Sequence, residues 1–330
     1  MLSDSIGMFT MNNLISVFIV FSLLVTGCSS DQQQDKEQQK QENIPKVNEG
    51  TLVHMADFPS NFVAARNVDI WLPDDYSNNK RYAVIYMNDG QTLFDPKMSW
   101  LNKEWGVDEM MAKLLKEKKI KDTIIVGISN SGLGRVGDYF PQKPFESLKP
   151  DYVNALLKRM SENEYTASMM NDIHSDNYLK FLVKELKPYI DKNYSTFPDK
   201  GNTFILGSSY GGLISMYAIS EYPEVFGGAA CLSTHWIGTF EDNPIIAQSF
   251  IDYFDKNAPS PTDHKVYFDY GSETLDQYYK PYQLKIDDIM KTKGYTEKNW
   301  KTLEFVGENH SEEAWSKRLD QPLLFLVALN

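Results

Sequence analysis

Residues 204–215, FILGSSYGGLIS, constrain this chain more than any other stretch. An apolar run enters, a serine stands between glycines, and a run with helical spacing leaves. Gly207-Ser208-Ser209-Tyr210-Gly211 fits G-x-S-x-G with Ser209 at its centre. Small residues are common, so the bare match carries little. The strand before it and the helix after it carry more, because that corner lifts the Ser209 hydroxyl above a sheet edge. A Cβ at Gly207 or Gly211 is expected to collide with the neighbouring backbone, and Gly212 to let the helix lie close to the sheet. The helix start aims N–H groups and the positive end of its dipole at the same point.

The surrounding pattern supplies the sheet that such a corner needs. Strands are predicted over 68–73, 82–89, 122–129, 202–207, 227–233, 265–271 and 301–307, and helices over 104–119, 177–194, 211–222 and 319–329. Apolar strands alternating with helices imply a mostly parallel central sheet with helices on both faces. There is no internal repeat. Residues 140–176 fit the alternation poorly and are expected to form an insertion over the carboxyl edge of the sheet, where such folds bind ligands.

Composition bounds what the chain meets. Its 330 residues are enough for a large core, and a net charge of −12 argues against nucleic acid as a partner. Residues 14–25, LISVFIVFSLLV, have the length of a signal-peptide core and are short for a membrane span. Val25-Thr26-Gly27-Cys28 looks like a bacterial lipobox, which implies cleavage before Cys28 and a diacylglycerol on its thiol. The upstream segment departs from that pattern: residues 1–13 contain Asp4 and no Lys or Arg, and a start at Met8 or Met11 would remove the acid. An uncleaved anchor or a plain signal peptide is the competing reading. Residues 28–50 are polar and glutamine-rich and are read as a disordered tether, which leaves 51–330 as the folded domain. The expected location is the cell envelope, periplasmic or surface-exposed, with a lipid anchor in the membrane. Cys231 then stands alone, which argues against an intramolecular disulfide and a cysteine zinc site.

A serine hydroxyl needs a base to act as a nucleophile. Of five histidines, His310 sits just after the last predicted strand and just before a helix start, the position expected of that base. His235 follows the strand 227–233 and is read as a pocket wall, with the base as its alternative role. His264, before a strand, is expected to face solvent. The third group is a carboxylate after the strand 265–271, and both Glu273 and Asp276 qualify. Trp105 and Trp236 are candidate aromatic walls, while Arg135 and Tyr139 lie on a loop that reaches toward substrate. An aromatic-rich wall would suit a phenolic or sugar ester.

With these residues in place the chain resembles the putative-esterase family of α/β hydrolases, which includes esterase D, feruloyl and acetylxylan esterases, enterochelin-type siderophore esterases and mycolyltransferases. The resemblance covers roughly residues 60–328. It rests on WLPDDYSNNKRYAVIYMNDGQTLFD (71–95), IIVGISNSGLGRVGDYFP (124–141), ILGSSYGGLISMY (205–217), YFDYGSETLD (267–276) and VGENHSEEAW (306–315). It implies an α/β-hydrolase fold, Ser209 as nucleophile and His310 as base, and it tilts the acid toward Asp276. The oxyanion hole it implies uses the N–H of Tyr210 and that of Gln91. Asn88 stands where many relatives carry a histidine, which leaves a polar wall and no extra base. The implied reaction is ester hydrolysis through an acyl-enzyme, on a feruloyl, acetyl-sugar or siderophore ester, with no metal or organic cofactor. Competing readings are an acyltransferase with the same triad, a peptidase of the same fold, and a catalytically silent surface binding protein.

Overall fold

Strand residues alternate between two separate cores, and this alternation sets the architecture. In β5 (Thr203–Ser208), Ile205 joins one apolar cluster while Phe204 and Leu206 join the other. In β3 (Ala83–Asn88), Val84 and Tyr86 face the first cluster, and Ala83, Ile85 and Met87 the second. Strands apolar at every position are buried on both faces, so helices must cover both. The computed structural model describes residues 44–99, 102–161 and 172–329.

The remaining strands are β1 (Thr51–Phe58), β2 (Arg66–Leu72), β4 (Thr123–Ile128), β6 (Gly228–Leu232), β7 (Lys265–Gly271) and β8 (Trp300–Phe305). They form one eight-stranded sheet in the order β1-β2-β4-β3-β5-β6-β7-β8. β2 pairs antiparallel with both neighbours, and every other pairing is parallel, so β2 alone runs against the rest. From β3 the chain steps to β4 on one side and then crosses to β5 on the other. That reversal opens a crevice at the carboxyl ends of β3 and β5, where such sheets place their sites.

The helices, in chain order, are α1 (Val107–Lys116), α2 (Arg135–Tyr139), α3 (Gln142–Glu146), α4 (Pro150–Ser161), α5 (Ser175–Phe181), α6 (Lys187–Asn193), α7 (Tyr210–Glu221), α8 (Pro244–Asn257), α9 (Lys280–Thr292), α10 (Glu312–Lys317) and α11 (Asp320–Val327). A π turn over Leu182–Leu186 joins α5 to α6. Leu179, Leu213, Phe250 and Ile286 bring α5, α7, α8 and α9 to the first core. Met111, Trp315 and Leu323 bring α1, α10 and α11 to the second. This is the doubly covered sheet that the sequence pattern implies.

The insertion at 140–176 leaves the carboxyl edge with the Phe140 ring 6.4 Å from that of Tyr210. Its described helices then run along α7 and α8. The Lys143 N–H donates to the Tyr217 hydroxyl at 3.4 Å, and the Tyr152 hydroxyl donates to Asn243 at 2.8 Å.

The folded unit begins at Pro45, not at Thr51. Asp95 accepts the Lys46 N–H at 3.0 Å, Asp108 the Asn48 N–H at 2.7 Å, and the Trp71 indole donates to the Glu49 carbonyl at 2.7 Å. Residues 45–50, expected to belong to the tether, are therefore stitched to the domain. The expected signal peptide, Cys28 and the tether up to residue 43 lie outside the described residues.

Candidate active site

β5 delivers Ser209 into a conformation that few non-glycine residues adopt, φ 58° and ψ −124°. Its neighbours hold it there. The Ser209 N–H donates to Leu232 at 2.9 Å, and the Ser209 carbonyl accepts the N–H of Gly212 at 3.0 Å, Leu213 at 3.1 Å and His235 at 3.3 Å. A Cβ on Gly207 would stand 2.6 Å from the Gly211 carbonyl oxygen, so only glycine fits. Gly211 departs from expectation: its Cβ would meet the Asp89 carboxylate at 3.2 Å, a side chain, not backbone. A Cβ on Gly212 would meet Leu232 oxygen at 3.1 Å, so this glycine does bring α7 close to the sheet. Among the described residues the Ser209 hydroxyl has no hydrogen-bond partner, and the side chain is nearly buried.

Asn88 does more than line a wall. Its amide nitrogen reaches the carbonyls of Leu206 and Gly211, each at 3.3 Å, and its oxygen accepts from the Tyr178 hydroxyl at 2.6 Å. It thereby ties β3 to β5 and to the first turn of α7. Its signal in the sequence is a buried amide at a strand end beside the elbow.

His310 arrives on the turn after β8. Its N–H donates to the Thr274 hydroxyl at 2.9 Å, and its Nδ1 lies 2.6 Å from Asp276 Oδ1. The Trp315 ring stands edge-on to the imidazole, with centroids 5.0 Å apart. Asp276 is buried and its second oxygen accepts from the Gly271 N–H and the Ser233 hydroxyl, both at 2.6 Å. Burial alone would push the Asp276 carboxyl up; the His310 contact, then Ser233 and Gly271, outweigh it and hold the pKa below the ordinary carboxylate value. Glu273 is exposed, and its carboxylate accepts from the neighbouring Ser272 hydroxyl at 3.2 Å. The structure brings Asp276, and not Glu273, to His310.

His235 bridges the two halves. Its backbone contacts Ser209, while its ring lies 4.5 Å from that of Tyr210 and 6.2 Å from that of His310. Its Nδ1 is 2.6 Å from the Tyr279 hydroxyl. Burial, then the nearby His310 and Arg135, push its pKa well below the usual histidine value, so the ring is neutral. With the Tyr279 hydroxyl and not a carboxylate on its Nδ1, His235 suits a wall better than a base.

The other side of the crevice is the turn after β3. A Cβ on Gly90 would stand 2.6 Å from the backbone of Gly127 and Ile128, so Gly90 lets this turn press on β4. Neither the Gln91 N–H nor the Tyr210 N–H meets an acceptor among the described residues. Asp89, with φ 59°, anchors the turn. Its carboxylate accepts from Arg135 Nε at 2.6 Å and Nη2 at 2.7 Å, and from Asn130 at 2.7 Å. The Tyr139 hydroxyl accepts the Asp89 N–H at 3.2 Å. Burial opposes the charge on Arg135, but Asp89 outweighs it and raises the pKa.

Several expected roles change accordingly. Arg135 is engaged by Asp89 and is not a free cation for an anionic ester. Tyr139 is fully buried behind the turn. Trp236 is a core residue against Phe268, its indole donating to Gln283 at 3.1 Å, and Trp105 packs behind Trp315 in the second core. These two are not pocket walls. His264, expected to face solvent, is buried, with Nε2 2.7 Å from the Pro223 carbonyl. Among the described residues no group of three or more His, Cys, Asp or Glu is placed to hold a metal ion.

A serine on a strained strand–helix corner and a His–Asp pair at the ends of neighbouring strands stand on the sheet of an α/β-hydrolase fold. The chain belongs to the family described as "Putative esterase", whose model matches residues 62–326. It is 20% identical over 279 residues to the uncharacterized protein YbbA of Bacillus subtilis (strain 168), an alignment that covers 80% of this chain and 94% of that protein. A solved ferulic acid esterase superimposes with a TM-score of 0.59 at 18% identity, covering 86% of this chain and 99% of the other. An IroE-like serine hydrolase from Shewanella oneidensis gives 0.58 at 20%, covering 83% and 78%.

Proposed function

We propose that this protein hydrolyses carboxylic esters through Ser209, His310 and Asp276. The observation that carries the reading is the 2.6 Å contact of Asp276 with His310 Nδ1, which leaves Nε2 as the ring nitrogen not engaged by the carboxylate. His310 takes the Ser209 proton as Ser209 attacks the ester carbonyl. The Gln91 and Tyr210 N–H groups receive the oxyanion, each donor worth about 2.7–4 kcal/mol in such sites. The alcohol leaves with the proton from His310, and water then releases the acid by the same route. Asp276 holds the imidazole tautomer and stabilises the imidazolium.

The substrate class is a feruloyl, acetyl-sugar or siderophore ester. Similarity to a ferulic acid esterase and to an IroE-like hydrolase supports it. Because Asp89 balances the charge of Arg135, the reading favours a neutral acyl group near that loop. The lipobox supports a lipid anchor on Cys28 and a place in the cell envelope. Retention of a labelled fatty acid by a Cys28→Ala variant would contradict it.

Hydrolysis of p-nitrophenyl acetate by the purified protein, beside Ser209→Ala and His310→Ala, tests the chemistry. Each variant is expected to lose at least about 10³-fold in kcat. Full activity in Ser209→Ala would remove the assignment of the nucleophile. Transfer to an added alcohol in preference to water would indicate an acyltransferase.

A further inference from the structure

We infer that Ser233 is a positioning residue for the acid of the triad, its hydroxyl proton directed onto Asp276 by two donors that leave it no other choice. The inference rests on the triad reading above. Ser233 follows β6 and is completely buried. Its Oγ lies 2.9 Å from the Trp315 indole nitrogen, 2.8 Å from Arg318 Nη2 and 2.6 Å from Asp276 Oδ2.

The direction of each bond follows from chemistry. An indole N–H only donates, and a guanidinium only donates. A serine hydroxyl has one proton and two lone pairs. Trp315 and Arg318 occupy the lone pairs, so the proton goes to Asp276. The hydroxyl is thus a donor of fixed sense, and Asp276 presents Oδ1 to His310 while Oδ2 is held by Ser233 and the Gly271 N–H.

The surroundings keep Ser233 from turning. Its N–H donates to the Asp269 carbonyl at 2.8 Å, and Arg318 Nη2 also binds Asp269 Oδ1 at 2.9 Å. The remaining face of the Arg318 guanidinium lies over the Phe305 ring, 4.8 Å from its centroid. Ser233 also has φ 41°, a backbone conformation that favours glycine. A position that favours glycine yet holds a serine, with three side-chain hydrogen bonds, marks the hydroxyl as the reason for the residue.

The titratable groups beside His310 are His235 after β6 and Tyr279 on the turn after β7, with ring centroids 6.2 and 5.8 Å away, while Arg318 and Asp269 pair on the other side of Ser233. Removing the Ser233 proton leaves the negative charge of Asp276 less dispersed, which strengthens its pull on the imidazolium.

Ser233→Ala and Ser233→Gly, compared with wild type and Ser209→Ala, test the inference through kcat, KM and the pH dependence of kcat/KM. Both Ser233 variants are expected to lose about ten- to hundredfold in kcat with little change in KM. The acid limb of kcat/KM is expected to move to higher pH in both. Wild-type kcat and pH profile in Ser233→Gly would overturn the inference, since glycine suits the positive φ and carries no hydroxyl. Loss of kcat with the acid limb unmoved would overturn it too, because it reports a structural role. If Ser209→Ala retains activity, the triad reading itself fails; if Ser209→Ala is inactive and Ser233→Gly keeps wild-type kcat and pH profile, only this inference fails.

Discussion

Asp276 and His310 are 34 positions apart and follow different strands, yet Oδ1 and Nδ1 stand 2.6 Å apart. The contact exists because β7 and β8 are parallel neighbours whose carboxyl ends meet. Asp276→Asn keeps the shape but loses the charge, and by analogy with other triads kcat should fall by up to about 10⁴-fold. Glu273→Gln changes an exposed group outside this contact and should stay within about twofold of wild type. Equal losses in the two variants would contradict the assignment of the acid.

Gly207 and Gly211 separate two kinds of crowding. Gly207→Ala drives a methyl group into backbone, which cannot step aside, and should cost about 1–3 kcal/mol in denaturant unfolding. Gly211→Ala presses on the Asp89 carboxylate at 3.2 Å, a side chain with more room to yield. Its loss of stability should be the smaller. A larger loss in Gly211→Ala would reverse this view of the elbow.

The Asp89–Arg135 pair fixes the turn that carries Gln91. Asp89→Asn leaves the guanidinium without its counter-charge in a partly buried site and should destabilise the protein by about 1–3 kcal/mol. Because the Gln91 N–H is held by that turn, kcat should fall more than KM rises. Gln91→Ala retains its N–H and should keep most of its kcat. Steady-state kinetics on the two variants would show whether the backbone or the side chain matters.

His174 provides a pH signature remote from the chemistry. Its Nε2 lies 3.0 Å from Asp138, and that hydrogen bond, followed by the opposing effect of burial, leaves its pKa raised. A raised histidine pKa gives stability that is fully present below about 6.5 and is lost as pH rises through the folded-state value. Asp138 has the opposite sign: burial would raise it, but His174, Arg66 and Ser131 outweigh burial and lower it, so its contribution fades as pH falls below the ordinary aspartate range. The stability gap between wild type and His174→Gln should therefore be larger at pH 6 than at pH 9. An equal gap at both would remove the ion pair from the account.

Much of the site was legible because its residues sit at strand ends. Seven of the strands show as apolar runs, and Ser209 and His310 follow two of them. β1 has no such signal, because TLVHMADF is an edge strand, half exposed, with no apolar alternation. α8 and α9 do not stand out in the sequence, although Asn243 caps α8 through the Ile246 N–H at 3.2 Å. Asp276 and Glu273 are equivalent in one dimension; only the turn over Thr274–Tyr278 points one inward. Trp105, Trp236 and Tyr139 misled because tyrosine and tryptophan serve cores as readily as pockets. Ser233 was invisible because its partners lie 43 to 85 positions downstream.

Two non-glycine residues, Ser209 and Ser233, stand with positive φ at the ends of adjacent strands, and the N–H of the first is bonded to the carbonyl just before the second. Each such residue carries a conformational cost of about 1–3 kcal/mol that glycine would relieve. At Ser233 the three buried hydrogen bonds of the hydroxyl offset that cost, whereas the Ser209 hydroxyl has no partner among the described residues, and stability and chemistry pull in opposite directions there. A lineage released from the need to cleave esters would find a firmer fold one codon change away at Ser209. Such descendants would keep the crevice and its shape, and a hydrolase could pass into a binding protein by becoming more robust.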